Sequence, residues 1–395
     1  MQLKDESETW SMRAAGVIMR GGTSKAVFFH ERDLPTDPAG RDAFILAAYG
    51  SPDRYGRQID GLGGATSTTS KVAVISDGRE RGVDVLYDFG QVAIDRPLVD
   101  RRGNCGNISS AVGPFAVDEG LVTPTDPVTI VRFLNTNTDK VIVAHVPTRD
   151  GRFDPVGDFH LPGVPGTGAR IQLDYIEPGG AVTGATLPTG NVTDTVDLPG
   201  TGTGTAQVSI VDAANPLVFV RWEDLGLTGL EHPDQIDGDP ELLARIESVR
   251  AQAAVLSGIT ETVEIATKEV PSVPKIAFVG APRDYALSDG TTQAATGTTI
   301  RAAMMSMGRL HRSYALTGGI ATAVASAIPG TVVHEASGGV AGPCLIGHTA
   351  GVLELSAEVV QAEDGSWQVP SVAGYRTARR LMEGTVLVPD ELLHD

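Results

Sequence analysis

Two stretches of the chain share one apolar spacing, and this repetition restricts the possible folds more than any other feature. In "CGNISSAVGPFA", Ile108, Ala111, Val112, Phe115 and Ala116 fall at i, i+3, i+4, i+7 and i+8, the pattern of one helix face. In "TGGIATAVASAI", Ile320, Ala323, Val324, Ala327 and Ile328 repeat the set at a constant offset of 212 residues, which sets Thr317 opposite Cys105. A tandem duplication accounts for the echo: each half wraps strands around one mostly apolar helix, and a cleft lies between two similar domains. Chance similarity of two Ala/Gly-rich helices is the alternative that the pattern alone leaves open. Pro114 conflicts with a helix, since an interior proline costs about 3 kcal/mol, and so predicts a short or kinked one.

The remaining sequence reads as short β-branched runs separated by turns, with 47 Gly and 24 Pro in 395 residues. Strands are predicted at 72–75, 83–89, 129–134, 141–146, 208–211, 217–222, 275–279 and 352–359. Helices are predicted at 37–49, 240–255 and 299–309, and after Cys105 and Thr317. The class is α+β, and the length calls for two domains.

Charge and cysteine content narrow the function. A net charge of −18 argues against nucleic-acid or anionic-membrane partners, and any anionic small substrate needs local donors to overcome that field. No run approaches the roughly 18 apolar residues that span a bilayer, and residues 1–10 are polar without a signal-peptide core. A cytoplasmic protein is expected, with Cys105 and Cys344 as thiols. The eight histidines show no metal-ligand spacing and no CxxC occurs, so no metal is expected.

Cys105 stands between two Gly/Asn pairs at a helix start, where unpaired backbone N–H groups and the macrodipole favour a thiolate. It is a candidate acid/base or nucleophile, whereas Cys344, ahead of an apolar pair, reads as structural. Two glycine- and hydroxyl-rich loops, "GGTSK" (21–25) and "GGATSTTSK" (63–71), both end in Ser-Lys. Each alone is an ordinary turn; together they favour an anion site with a lysine as charge or base. "PGTGTGTAQVSIV" precedes a strand instead of opening a helix, so it reads as a hairpin turn and not a phosphate loop. His311 and His348 read by default as hydrogen-bonded structural histidines.

Long ordered stretches, among them "VIMRGGTSKAVFF", "GSPDRYGRQIDGLGGATSTTSKVAVI", "GNCGNISSAVGPFAVDEGLV", "LPTGNV", "PKIAFVGAPRDY" and "SMGRLHRSYALTGGIATAVASAIPGTVV", resemble the 2-methylaconitate cis-trans isomerase family. That family lies within the diaminopimelate epimerase-like superfamily. The resemblance implies two pseudo-symmetric domains, 1–186 and 187–395, each a β-barrel-like sheet around a central helix, the last strand being free to cross back. It implies an active site between the two helix N-termini. Epimerases of this superfamily use a cysteine at each helix start; here Cys105 matches the first position and Thr317 occupies the second, which disfavours two-thiol racemisation.

The family instead pairs the cysteine with the lysine of its "TSK" motif, here Lys71. Lys71 is then the base, working from a buried setting among other cations, and Cys105 the general acid or a positioner of the intermediate. Arg20, Thr23, Ser24, Lys25, Ser67, Ser70, Asn104, Gly106, Asn107, Thr317, Gly318 and His348 form the proposed carboxylate shell. The expected chemistry is removal of an allylic proton to give a dienolate, held by helix N-termini and hydroxyl loops, with no cofactor. Return of the proton moves the double bond or, after rotation, exchanges cis for trans.

"GGATSTTSK" is similar to the cis-trans form of the motif, whereas relatives that shift the double bond of 4-oxalomesaconate or methylitaconate more often carry a "GGADPLTSK"-like version. This favours 2-methylaconitate and, with it, propionate metabolism, while "IGHTAG" departs from the "GHPSG" of those enzymes. The competing readings are a double-bond-shifting isomerase, an amino-acid epimerase using Cys105 alone, and a non-catalytic carboxylate-binding relative. The partner is a small polycarboxylate, and a homodimer is left open as the assembly.

Overall fold

The computed structural model describes residues 12–198, 204–306, 308–339 and 342–393. The polar start (1–10) and the tip of the expected hairpin turn (199–203) lie outside the described residues. The longer strands form two series. The first is β1 (Met12–Gly21), β2 (Ser24–His30), β3 (Lys71–Asp77), β4 (Val85–Val92), β5 (Val128–Asn135), β6 (Lys140–Arg149), β7 (Ile171–Ile176) and β8 (Asp194–Asp197). The second is β9 (Thr205–Ala213), β10 (Asn215–Arg221), β11 (Lys275–Gly280), β12 (Ile300–Ser306), β13 (Cys344–His348), β14 (Gly351–Gln361), β15 (Trp367–Arg376) and β16 (Ala378–Val388).

Both series follow one path. β1 and β2 form an antiparallel hairpin, β3 returns parallel to β2, β4 runs antiparallel to β3, β5 returns parallel to β4, and β6 runs antiparallel to β5. From β9 to β14 every step recurs with the same sense. β7 and β15 close the two series and pair with each other, which joins the halves into one ribbon. β8 then adds to β9 and β16 crosses back to β1, so each series receives the closing strand of the other.

Each parallel return needs a crossover, and helices fill it. α1 (Pro38–Tyr49) and α3 (Pro240–Leu256) occupy the first crossover of each half, α2 (Gly106–Asp118) and α4 (Leu316–Ala327) the second. Strands between them are buried on both faces: Ala73 and Ile75 of β3 turn inward to the cluster around Ile108 and Phe115 of α2, while Val72 and Val74 turn outward to Phe44, Ile45 and Tyr49 of α1. In the other half Val218 and Val220 meet Leu242, Ile246 and Val249 of α3. α2 and α4 lie inside, buried from Gly106 to Val117 and from Leu316 to Ala325. A helix buried all round carries small and apolar residues on every face, not on the single face that the repeat displayed.

Three expectations need correction. The helix expected at 299–309 is not found among the described residues: Ile300–Ser306 is strand β12, held between antiparallel β11 and parallel β13. The Ala/Met composition favours a helix, and sheet pairing overrides it. Of the short or kinked helix expected at Pro114, the short one is not found, since α2 runs 13 residues through the proline. The ring is buried with its neighbours, so packing on every side offsets the single ladder bond it removes. Finally, α4 starts earlier than the repeat implies: its N-cap is Ala315, so Thr317 lies inside the first turn, whereas Cys105 is itself the N-cap of α2.

Candidate active site

The N-termini of α2 and α4 meet. A Cβ on Gly106 would lie 3.0 Å from Leu316 Cβ and 3.2 Å from Thr317 N, so only glycine lets the helix ends come this close. Neither end has a side-chain cap: Cys105, at φ −112° and ψ 96°, supplies none, nor does Ala315. The outer helices differ, for Asp37 accepts from Gly40 N at α1 and Asp239 from the amides of Glu241 and Leu242 at α3. Capping satisfies the first amides of a helix; the two inner helices leave theirs for another acceptor. Both ends line one cavity of about 90 Å³.

Lys71 reaches this cavity from the start of β3. Its carbonyl accepts from Tyr49 Oη, and Ser70 Oγ donates to Val92 O (2.9 Å), which fixes the backbone on either side. Lys71 pairs across the ladder with Gln91, and its Nζ donates to Gln91 Oε1 at 2.6 Å. The Lys71 side chain also lies over the Phe89 ring, 5.0 Å from its centroid, and the residue is 8% exposed. The "GGATSTTS" loop before it is organised by buried Gln58, whose Nε2 donates to Ser51 Oγ and Ser70 Oγ and whose Oε1 accepts from Ala65 N.

Of the residues expected at the site, Ser24, Ser67, Lys71, Asn104, Cys105, Gly106, Asn107 and Thr317 line the cavity. The other six do not. Arg20 donates to the carbonyls of Gly22 and Thr377, and Ser70 is spent on Gln58 and Val92. Thr23 accepts from Asn107 Nδ2 (3.1 Å) and contacts Ser313 Oγ, while Lys25 N binds Thr68 O and so ties the two Ser-Lys loops together. Gly318 faces Met304 and Tyr314. His348 is buried in the second half, its Nδ1 accepting from Ala350 N, and burial lowers its pKa to about 3.

Other lining residues carry as much chemistry: Gln91, Asn215, Lys275 and His311, with Arg376 bonded to lining Asn107. Burial, then Lys71, lowers the Lys275 pKa to about 8, while Cys105 acts the other way. Burial also brings His311 to about 4, with Lys275, Lys71 and Arg376 adding to it. Arg376, brought to about 10 by burial, donates Nε to Asn107 Oδ1 at 3.1 Å. Two signals for Lys275 stand in the sequence: it lies in the family-like stretch "PKIAFVGAPRDY", and "KIAFV" (275–279) echoes "KVAVI" (71–75), a lysine opening a β-branched run.

A two-domain α+β fold with internal helices meeting end to end over a cationic, hydroxyl-lined cavity defines the epimerase-like class. A hydroxyproline epimerase from Agrobacterium vitis shares this fold at TM-score 0.54 and 14% identity, over 97% of this chain and 95% of that one. The chain belongs to the PrpF protein family, which it matches over residues 11–389. It is 43% identical over 391 residues to a 2-methyl-aconitate isomerase of Shewanella oneidensis, covering 96% of this chain and 97% of that one. It is 45% identical over 380 residues to a 3-methylitaconate isomerase of Eubacterium barkeri (95% and 97%). A solved methylitaconate-delta-isomerase superimposes with TM-score 0.79 at 43% identity, over 97% of each chain. The chain is an isomerase of this family.

Proposed function

We propose that the chain isomerises an unsaturated di- or tricarboxylate without a cofactor, 2-methylaconitate cis-trans exchange being the reaction, and that it works in the cytoplasm. The observation that carries this reading is the meeting of two uncapped helix N-termini with Lys71, Cys105 and Lys275 around one cavity, in a chain of net charge −18. Lys71 takes the allylic proton; the electron pair moves through the C=C into a carboxylate, and the dienolate charge gathers on its oxygens. Backbone N–H groups of α2 and α4 stabilise that charge where it develops. After rotation about the former C=C, the Cys105 thiol gives a proton back to the original carbon, and the Lys71 ammonium passes its proton to the thiolate.

Incubation of 2-methylaconitate, methylitaconate and 4-oxalomesaconate in D₂O, followed by NMR, tests this. Cis-trans exchange with deuterium at the original carbon is expected from the first acid. Lys71→Ala should lose isomerisation and exchange together, by at least about 10²-fold if it is the base. Absence of both reactions in the wild type with every acid would sink the reading. A double-bond shift is the second reading, favoured by the 45% identity to 3-methylitaconate isomerase, and deuterium at the far allylic carbon is its signature.

A further inference from the structure

Lys71 and Lys275 occupy the same place in the two halves. Each is the first residue of the strand that follows the first crossover, β3 or β11. Leu217 pairs with Lys275, and one step back from the Val27–Val72 pair sets Ala26 beside Lys71. Two residues before these partners stand Asn215 and Ser24, on the same strand face as the partners and first in β10 and β2. All four line the cavity, so its wall is built twice by one rule, a lysine and a short polar residue from each half.

The two lysines differ in what they touch. Lys71 Nζ is held by Gln91 Oε1, whereas Lys275 Nζ has no hydrogen-bond or ion-pair partner among the described residues. Asp100, the carboxylate among the lining residues, is taken by Arg102. Lys275 is half-buried in the cavity wall, so an anion that enters the cavity meets an ammonium no protein group has taken.

We propose that Lys275 is the carboxylate anchor of the site, its ammonium pairing with the carboxylate that gathers the dienolate charge while Lys71 works on the C–H. The dienolate clause rests on the isomerase reading; the pairing with a carboxylate does not. Several groups face Lys275: Lys71 from β3, Cys105 from the start of α2, Asp100 from the segment after β4, and His311 from the segment before α4, on which Arg376 at the end of β15 also acts. Burial, then Lys71, brings its pKa to about 8 against the opposing pull of Cys105, so around that pH Lys275 is partly neutral before an anion binds. A bound carboxylate favours the ammonium and draws a proton onto it.

Calorimetry at pH 8 with propane-1,2,3-tricarboxylate, which has no double bond to react, tests the anchor in two buffers of different ionisation enthalpy. The wild type should bind and take up part of a proton. Lys275→Met should bind about 10- to 100-fold more weakly with the uptake gone, the range expected for losing a charged hydrogen bond. Lys275→Arg should bind near the wild-type level, also without uptake, because a guanidinium stays charged throughout. If Lys275→Met fails to fold, Lys275→Arg decides alone, since retained uptake there overturns the anchor. Unchanged uptake in both variants, or no binding by the wild type, overturns it as well. Deuterium exchange by the wild type is scored separately: Lys275-dependent uptake without exchange in any acid sinks the isomerase reading alone, and exchange with unchanged uptake sinks the anchor alone.

Discussion

The Gln91 amide nitrogen donates to Ser70 O at 2.8 Å, which turns its oxygen toward Lys71 Nζ at 2.6 Å. A neutral oxygen positions the lysine without adding a charge that would favour its ammonium form. Gln91→Glu changes little in volume but supplies that charge and loses the donor to Ser70 O. It should lower kcat by about tenfold, because a carboxylate holds the lysine nitrogen in a stronger, charge-assisted hydrogen bond than the amide does. Comparison of kcat for wild type and variant checks this, and equal values would refute it. At this scale Cys105 and Lys71 were legible in the sequence because each ends a distinctive loop, "GNCGN" or "TSTTSK". Lys275 follows "PSVP", which carries no loop signature, and only its place in the sheet brings it to the cavity.

Helix α2 is set by its first residue as much as by its apolar content. Gly106 lies against α4, and an added methyl would fall 2.9 Å from Tyr175 Oη and 3.0 Å from Leu316 Cβ, too near for all three to stay in place. Gly106→Ala should therefore push the two helix N-termini apart and cost about 1–3 kcal/mol of stability, in the range of an overpacked core. It should also weaken substrate affinity more than a remote mutation of equal stability cost, because both uncapped ends shift. Urea unfolding and KM measured together would show this; a stability loss with an unaltered KM would count against it. The 3.6-residue repeat made α2 and α4 readable, since their larger apolar side chains recur at helical spacing while Gly, Ser, Thr and Ala fill the other buried faces. It misplaced the start of α4 because the cap at Ala315 has no side-chain signal, and it misread residues 299–309 because sheet pairing leaves no mark on so Ala- and Met-rich a run.

Across the whole molecule, the halves that meet at the cavity enclose two imidazoles whose neutrality links stability to pH. His348 and His311, whose ordinary pKa is 6.5, are brought by burial to about 3 and about 4. Between those values and 6.5 the unfolded chain binds protons that the folded chain refuses, so folding stability is full above about 6.5 and is lost as pH falls. Each histidine should withdraw about 2 kcal/mol between pH 7 and pH 5. Asp88, Asp118 and Asp212, all raised by burial, act in the opposite sense, so the contribution of one histidine is read from a variant of that histidine. His348→Asn keeps an acceptor for Ala350 N but does not titrate. Urea midpoints at pH 7 and pH 5 should differ less in this variant than in the wild type, by about 2 kcal/mol on conversion with a common m-value. An equal loss in both proteins would mean that His348 is not the group being protonated.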